Sequence, residues 1–319
     1  MLIMGEHLPV TVGIPAYNNS AHIAEAIKGC LAQTYPALKV IVADDRSADT
    51  TAAIVQSFAG SEKVQYIQNE KNLGRVANYR HLLYDLAASG WYINLDGDDY
   101  FTDPSFIEQA MALISKTGPD EIVFYQGNHN MEKLKKALPR FTQLNAEDIL
   151  VEGKEYFINF PRIKKNTHCA TLYNRTKAVL LNFYSFDCLF ADFHSLSRLA
   201  LTGKVILSSR QVALWRQHEG NESKSLNEEK LNNELASLKD AALFAEQYLS
   251  PAETKNWLKQ MTAYYRMVFI YHNSTYHPGW KTIGFILRHW RFNGLYLRYV
   301  VKNLWLMIHK NKKPGTVSV

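Results

Sequence analysis

The chain has 319 residues, 47% of them hydrophobic and 21% charged, which suits one large domain, or one domain with an appendage, around a sizeable core. Its three cysteines, Cys30, Cys169 and Cys188, are scattered without metal-ligand or redox spacing; this excludes a disulfide framework and points to reduced, buried thiols of a cytosolic protein. The net charge of +6 is unevenly placed: Thr254 to Val319 contains no Asp or Glu against eleven Lys or Arg, an asymmetry that calls for an anionic partner.

At the start, Met1 to Leu8 lacks a basic segment followed by a long apolar run, so no signal peptide is expected. Residues 1–125 then alternate strand and helix patterns, as in an α/β sheet with helical crossovers. Val10 to Ile14 reads as a strand stopped by Pro15. A helix from Ala21 to Gln33 follows, with Ile23, Ile27 and Leu31 on one face. Lys39 to Ala43 is a continuous apolar strand ending at Asp44-Asp45, and Ser47 is expected to cap the next helix, whose apolar face is Ile54, Val55 and Phe58. Val64 to Ile67 is a third strand; Val76 to Ala88 is a helix carrying Tyr79, Leu82, Leu83 and Leu86. The fourth strand, Trp91 to Leu95, ends on Asp96-Gly97-Asp98-Asp99. Asp103-Pro104 caps a helix over Ser105 to Lys116, and Glu121 to Tyr125 is another strand. Residues 126–165 show basic and amphipathic pieces without a clear period. Cys169 to Tyr173 and Val212 to Arg216 read as strands, and after Ser225 the pattern turns helical, beginning with Leu226 to Tyr248.

Every polar motif falls just past the C-terminal end of a strand, the edge at which open α/β sheets bind ligands. Three carboxylates within the four residues 96–99 repel one another unless a cation sits among them, and oxygen ligands suit Mg²⁺ or Mn²⁺. A solvated strand-end turn is the alternative for the same residues. An EF-hand is excluded by the missing loop spacing and closing Glu. The absence of GxGxxG after the first strand, and of GxxxxGK[ST], disfavours a dinucleotide fold and a P-loop.

Pro15-Ala16-Tyr17-Asn18, Asp44-Asp45-Arg46-Ser47, Asn72-Leu73-Gly74-Arg75 and Asp96-Gly97-Asp98-Asp99 occur in that order. The ordered set resembles the family 2 glycosyltransferases of the type A nucleotide-sugar-binding fold, over about Leu8 to Ser225. The resemblance implies an α/β, Rossmann-like fold with a mixed central sheet. Residues 1–225 would be the catalytic domain and 226–319 a helical, basic and aromatic C-terminal appendage. It also implies an inverting, metal-dependent transferase of bacterial surface-polysaccharide type. Such an enzyme moves a hexosyl or N-acetylhexosaminyl group from a nucleoside-diphosphate-sugar, expected to be a UDP-sugar, to a glycan or glycolipid hydroxyl.

The same resemblance distributes roles. Pro15, Ala16, Tyr17 and Asn18 belong to the nucleotide-sugar site, with Tyr17 offering an aromatic face. Asp45 accepts from the base; helix capping by Asp44 or Ser47 is the alternative use of that segment. Gly74 permits close backbone approach, and Arg75 offers a fork for phosphate or nucleotide oxygens, or else a solvated charge at a helix start. Asp96 supports the turn and the donor, while Asp98 and Asp99 lie nearest ribose and metal. Arg216-Gln217-His218, with Asn221 and Ser223, is similar to the segment that closes such domains, and His218 is the third candidate metal residue; a structural hydrogen-bonding role is its alternative. His168 reads as structural. Phe186 to Asp192 is similar to the family segment in which a Glu-Asp pair precedes a helix and Gly-Lys. Its Asp, here Asp192, is the expected catalytic base, although Ala191 stands where the Glu would be. Asp187 is the fallback base.

Two rivals remain on the sequence. A sugar nucleotidyltransferase shares strand-end carboxylates but needs a glycine-rich basic loop where Pro15 to Asn19 stand. A catalytically silent nucleotide-sugar-binding scaffold would bind donor without turnover. In the tail, Arg288, Arg291, Arg298, Lys302 and His309 are spaced by 3, 7, 4 and 7, which puts them on one helix face. Ile286, Trp290, Leu297, Val301, Leu304 and Ile308 take the opposite faces, and Asn293-Gly294 is a point where the helix splits in two. No run of 18 apolar residues exists, so a spanning helix is not supported. An interfacial helix on an anionic leaflet, beside a lipid-linked acceptor, fits this pattern better than nucleic-acid binding, which is not expected. The alternative is an appendage that packs on the catalytic domain. The implied location is cytoplasmic, peripheral on the inner face of the cell membrane.

Overall fold

The computed structural model describes residues 7–58, 60–163, 168–218, 227–289 and 294–309. The N-terminal segment up to residue 6, Asn221 and Ser223, Trp290, Arg291 and Asn293, and the basic residues beyond 309 lie outside them. So does the expected boundary at 225.

The N-terminal alternation runs β1 (Val10–Ala16), α1 (Ile23–Leu31), β2 (Leu38–Asp44), α2 (Thr51–Gln56), β3 (Val64–Gln68), α3 (Arg75–Arg80) and β4 (Trp91–Asn94). A short strand β5 (Tyr100–Phe101) precedes α4 (Phe106–Thr117) and β6 (Ile122–Gln126). The stretch without a clear period holds α5 (Met131–Ala137), β7 (Thr142–Gln143), β8 (Asp148–Glu152) and α6 (Gly153–Ile163). Then come β9 (Thr171–Asn174), α7 (Arg175–Leu180), α8 (Ala191–Ala200), β10 (Lys204–Ser208) and β11 (Ala213–Leu214). Four helices finish the described chain: α9 (Glu228–Ala245), α10 (Pro251–Tyr276), α11 (Trp280–Arg288) and α12 (Gly294–His309).

Nine strands form one mixed sheet in the order β3-β2-β1-β4-β9-β6-β10-β8-β7, and β5 pairs with β11 in a separate two-stranded sheet. β1 is flanked by parallel partners on both sides, β2 and β4, so the chain reverses direction of travel across the sheet there. The crevice beyond such a point is where open α/β sheets bind ligands. Both faces are covered. Val40 and Val42 enter one core with α1 and α4, while Ile41 and Ala43 enter the other with α6 and α8, the period of two expected of a strand buried on both sides.

The C-terminal helices join that second core. Leu238 and Ala241 of α9 and Trp257, Met261 and Tyr265 of α10 are buried in it, and Trp257 stacks on Phe157 of α6 with ring centroids 4.2 Å apart. A smaller cluster of Leu231, Phe269, Ile270, Phe285 and Ile286 ties α11 to α9 and α10. Packing of the C-terminal region on the sheet's second core therefore holds for α9 and α10. All three cysteines are buried and unpaired.

Local chemistry departs from the sequence expectations in three places. Ser47 does not cap α2: its N–H and hydroxyl both donate to Asp44 Oδ1, and Asp49 Oδ1 takes the Thr51 N–H instead. The helix expected over 76–88 is α for Arg75–Arg80 only and widens into a π-helical turn over His81–Leu86. In the tail, α11 ends at Arg288 and α12 starts at Gly294, so the split falls where Asn293-Gly294 placed it. The basic and apolar stripes of α12 adjoin rather than oppose each other. Leu297 and Val301 sit one position before Arg298 and Lys302, about 100° around the helix.

Candidate active site

The β1 end delivers Pro15 and Ala16 in the strand, then Tyr17, which is 52% exposed, and Asn18 in the left-handed region at φ 51°. The loop after β2 packs against it: Asp45 N–H donates to Ala16 O at 2.7 Å, Asn18 N–H to Ser47 Oγ at 2.9 Å, and Ala48 N–H to Asn18 Oδ1 at 2.9 Å. Asp45 itself is buried. Its Oδ1 accepts from Leu73 N–H at 2.7 Å and Asn69 Nδ2 at 2.9 Å, and its Oδ2 from Gly74 N–H at 2.8 Å. Its carboxylate thus holds the 72–74 turn. Gly74 has φ 86° with open space where a Cβ would point, so backbone conformation requires the glycine there.

The aspartate turn follows β4. A Cβ on Gly97 would stand 3.0 Å from Asn19 Oδ1 and 3.2 Å from Pro15 O, so this glycine lets the turn lie against the β1 end. Asp96 Oδ1 accepts from Tyr79 Oη at 2.8 Å and Asn94 Nδ2 at 3.1 Å. Burial raises its carboxyl above the usual range, opposed by the neighbouring His168. Asp99 Oδ1 accepts from Arg216 N–H at 3.0 Å; burial, then the charges of Asp96 and Asp98, push it up to about 8.

The β5–β11 pairing carries the Arg216-Gln217-His218 segment to this turn. Leu214 pairs with Tyr100, two residues after Asp98. His218 Nε2 lies 2.7 Å from Asp98 Oδ2, and Arg216 Nε donates to Asp98 O at 2.9 Å. The Arg216 guanidinium also pairs with Glu25 and covers the Tyr100 ring at 5.0 Å. The structure therefore brings Asp98 and His218 together, with Asp99 on the same segment's backbone. Two neighbours carried no expectation: Glu25 of α1 and His22 just before it, whose ring centroid is 5.4 Å from that of His218; no motif marks them. His168, read as structural from the sequence, lies in a 3₁₀ turn with its Nε2 2.6 Å from Tyr184 Oη.

Among the described residues, no group of three His, Cys, Asp or Glu side chains has metal-holding geometry. Mg²⁺ and Mn²⁺ sites at substrate phosphates need fewer: one or two carboxylates, with phosphate and water completing the shell. Asp98 and Asp99 supply oxygen donors of that kind, and His218 a nitrogen at hydrogen-bond distance from one of them. The donor set fits such an ion, held jointly with a diphosphate.

Asp192 sits in the first turn of α8, half-buried; burial, and then the nearby Asp192 charge, raise the Tyr156 phenol. Asp187 is exposed on the loop before it. Ala191 is buried in the core. A carboxylate enters this region from another element: Glu234 of α9 is 1% exposed, and its Oε1 accepts from Leu189 N–H at 2.5 Å and Phe190 N–H at 3.1 Å. Burial pushes Glu234 up to about 7, the two N–H groups opposing and Asp192 adding. From the other side, Arg75 Nη2 donates to Cys188 O at 2.9 Å and Leu189 O at 3.1 Å. The chain's expected phosphate fork thus grips the loop that leads to Asp192. A cavity of about 290 Å³ opens beside this grip, lined by Arg75, Asp187, Asn227, Lys230 and Asn233 among others.

Residues 11–190 match the family described as Glycosyl transferase family 2. The chain belongs to that family. The chondroitin synthase of Escherichia coli is 37% identical over 127 residues, 39% of this chain and 18% of its own length. An uncharacterized protein of Mycobacterium tuberculosis (strain ATCC 25618 / H37Rv) is 33% identical over 114 residues, 34% of this chain and 32% of its length. The chain thus spans about a third of the length of the mycobacterial relative and less than a fifth of the chondroitin synthase. Among solved structures, S. aureus TarS 1–349 has TM-score 0.59 at 15% identity, covering 94% of this chain and 80% of that one. The mannosyltransferase PcManGT from Pyrobaculum calidifontis, in complex with GDP-Man and Mn²⁺, has TM-score 0.59 at 13% identity, covering 97% and 89%. At these identities the likeness concerns the fold: a family 2 transferase sheet with helices at the C-terminal end.

Proposed function

We propose that this chain is an inverting, metal-dependent glycosyltransferase that passes a sugar from a nucleoside-diphosphate donor, a UDP-sugar first of all, to a hydroxyl of a glycan or glycolipid in surface-polysaccharide synthesis. One observation carries the reading: three strand-end motifs and the Arg216–His218 segment meet at a single sheet edge, with Asp98 2.7 Å from His218. TarS has been solved with UDP-GlcNAc and PcManGT with GDP-Man and Mn²⁺, which supports a sugar nucleotide and a divalent ion here.

In this reading Tyr17, exposed at the β1 end, offers its ring to the base, and Pro15, Ala16, Asn18, Asp45 and Gly74 shape the nucleotide's seat. Asp98 and Asp99, with His218, hold the ion and the diphosphate, and Asp96 braces the turn through Tyr79. When bound, the ion neutralises charge on the departing nucleoside diphosphate. Asp192 takes the proton from the acceptor hydroxyl as its oxygen attacks the anomeric carbon from the side opposite the leaving group. That geometry inverts the configuration and needs a single protein carboxylate at the reacting centre. Calorimetric titration with UDP, GDP and dTDP, each with Mn²⁺ and with EDTA, tests the reading. Binding of one nucleotide only with metal is expected; no binding of any would overturn it. Metal-dependent binding with no turnover of any sugar donor would favour a silent scaffold.

The finer location follows from the tail. Leu297, Val301, Leu304 and Trp305 of α12 are exposed beside Arg298 and Lys302, while Asn303 is buried with its Nδ2 on Ser274 Oγ of α10 at 2.8 Å. One side of α12 thus docks on the protein and the other offers an apolar and basic surface of the kind that lies in a membrane interface. Among the described residues, no helix is long and apolar enough to cross a membrane. Co-sedimentation with vesicles containing phosphatidylglycerol is expected at low salt and not with pure phosphatidylcholine, and Val301→Glu should abolish it. Equal binding of the variant, or none by the wild type, removes the peripheral-membrane assignment.

A further inference from the structure

Arg75, expected to offer its fork to phosphate or nucleotide oxygens, meets protein backbone in the structure. Its guanidinium donates to the carbonyls of Cys188 and Leu189, and it lies over the Tyr79 ring at 5.4 Å. Tyr79 in turn donates to Asp96 Oδ1 at 2.8 Å. On the far side of the same loop, Glu234 accepts the N–H groups of Leu189 and Phe190. The backbone at 188–190 is therefore held at its carbonyls by a cation and at its amides by a carboxylate. Two residues beyond Phe190, in the first turn of α8, stands Asp192.

This arrangement is costly to build for packing alone. Glu234 is 1% exposed and its Oε2 has no hydrogen-bond partner among the described residues. A buried carboxylate oxygen left unpaired is destabilising, and an apolar side chain would fill the space at less cost. What an apolar residue would lose is the acceptor for two consecutive loop amides. Arg75 adds the complementary half, and through Tyr79 it connects this loop to the aspartate turn at the donor edge.

We propose that Arg75 and Glu234 form a clamp on the 188–190 backbone that positions Asp192 against the donor, Arg75 being a positioning residue of the acceptor side and not a ligand of the nucleotide. The proposal rests on the transferase reading above. It places a positioning residue of the reaction on α9, outside residues 11–190 that match the family. Misplacing a reacting group by about 1 Å can cost on the order of 10²-fold in rate without touching ground-state binding, so the clamp should act on kcat.

The test compares wild type, Arg75→Ala, Glu234→Ala and Glu234→Gln. Calorimetry with UDP and GDP in Mn²⁺ gives the nucleotide affinity. Release of that nucleoside diphosphate from its sugar donors gives kcat, and hydrogen exchange reports on the Leu189 and Phe190 amides. The clamp predicts nucleotide affinity within about two-fold of wild type in all three variants. It predicts kcat lower by about 10- to 100-fold in both alanine variants. Exchange at the two amides should quicken in Glu234→Ala. Glu234→Gln should restore both kcat and exchange, because its amide oxygen accepts the same two N–H groups. A loss of nucleotide affinity of about tenfold or more in Arg75→Ala would return the guanidinium to the donor and overturn the proposal. Wild-type kcat or wild-type amide exchange in Glu234→Ala would overturn it as well. Failure of the wild type to bind either nucleotide strikes the transferase reading instead, and amide exchange in Glu234→Ala and Glu234→Gln then decides whether the clamp exists.

Discussion

Asp192→Asn is expected to leave metal-dependent nucleotide binding near wild type while lowering sugar transfer by about 10²- to 10⁴-fold, the usual worth of a positioned general base. The amide has the shape of the carboxylate, so the packing around the first turn of α8 should survive. What disappears is the oxygen able to take a proton, and an alcohol is a poor nucleophile at neutral pH without one. The measurement is nucleoside diphosphate release from a panel of sugar donors beside calorimetry of the same variant. Wild-type turnover would move the base elsewhere, with exposed Asp187 the first candidate. Loss of nucleotide binding together with turnover would instead place Asp192 on the donor side.

Asp98→Asn should weaken metal-dependent nucleotide binding by at least about 10²-fold, roughly 3 kcal/mol. Asp98 Oδ2 lies 2.7 Å from His218 Nε2, between Asp96 and Asp99 in the turn, and in the proposed reading it is a ligand of the ion. Removing the ion from the wild type with EDTA should cost about as much, and the two losses should not add, because each removes the same interaction. The variant in Mn²⁺ and the wild type in EDTA would then bind nucleotide alike. A variant that keeps its full response to Mn²⁺ would take Asp98 out of the metal's shell.

The parts legible in the sequence are those governed by short-range pattern. Val40, Ile41, Val42 and Ala43 announce a strand covered on both faces, and the ordered polar motifs announce which sheet edge matters. The stretch from residue 126 to 165 was not legible because its elements are short and mixed. The two-residue β7 is exposed, β8 runs antiparallel to β10, and α6 carries Pro161 within it. The π-helical turn at His81–Leu86 left no trace, since Leu82, Leu83 and Leu86 fit an α period equally well. Ser47 misled because a cap and a strand-end turn use the same hydroxyl, and Asp44 won it. The contacts of Arg75 with the carbonyls of Cys188 and Leu189 were not legible either: those partners lie 113 and 114 residues away, a distance no local pattern encodes. Glu234 is hidden for the same reason, being one of several acidic residues on an amphipathic helix until its burial is known.

The β5–β11 ribbon has a further meaning once the chain is considered as it is made, from the N-terminus onward. Asp98 and His218 are 120 residues apart in sequence and are brought together by the Leu214–Tyr100 pairing and by the bonds of Arg216 to Asp98 and Asp99. In chain order the aspartate turn precedes five strands of the large sheet, β6 to β10, as well as β11. A chain that stops before Ala213 has that turn yet lacks Arg216 and His218, which bond to it. The segment that reaches Asp98 therefore enters the fold only after all nine strands of the large sheet have been made.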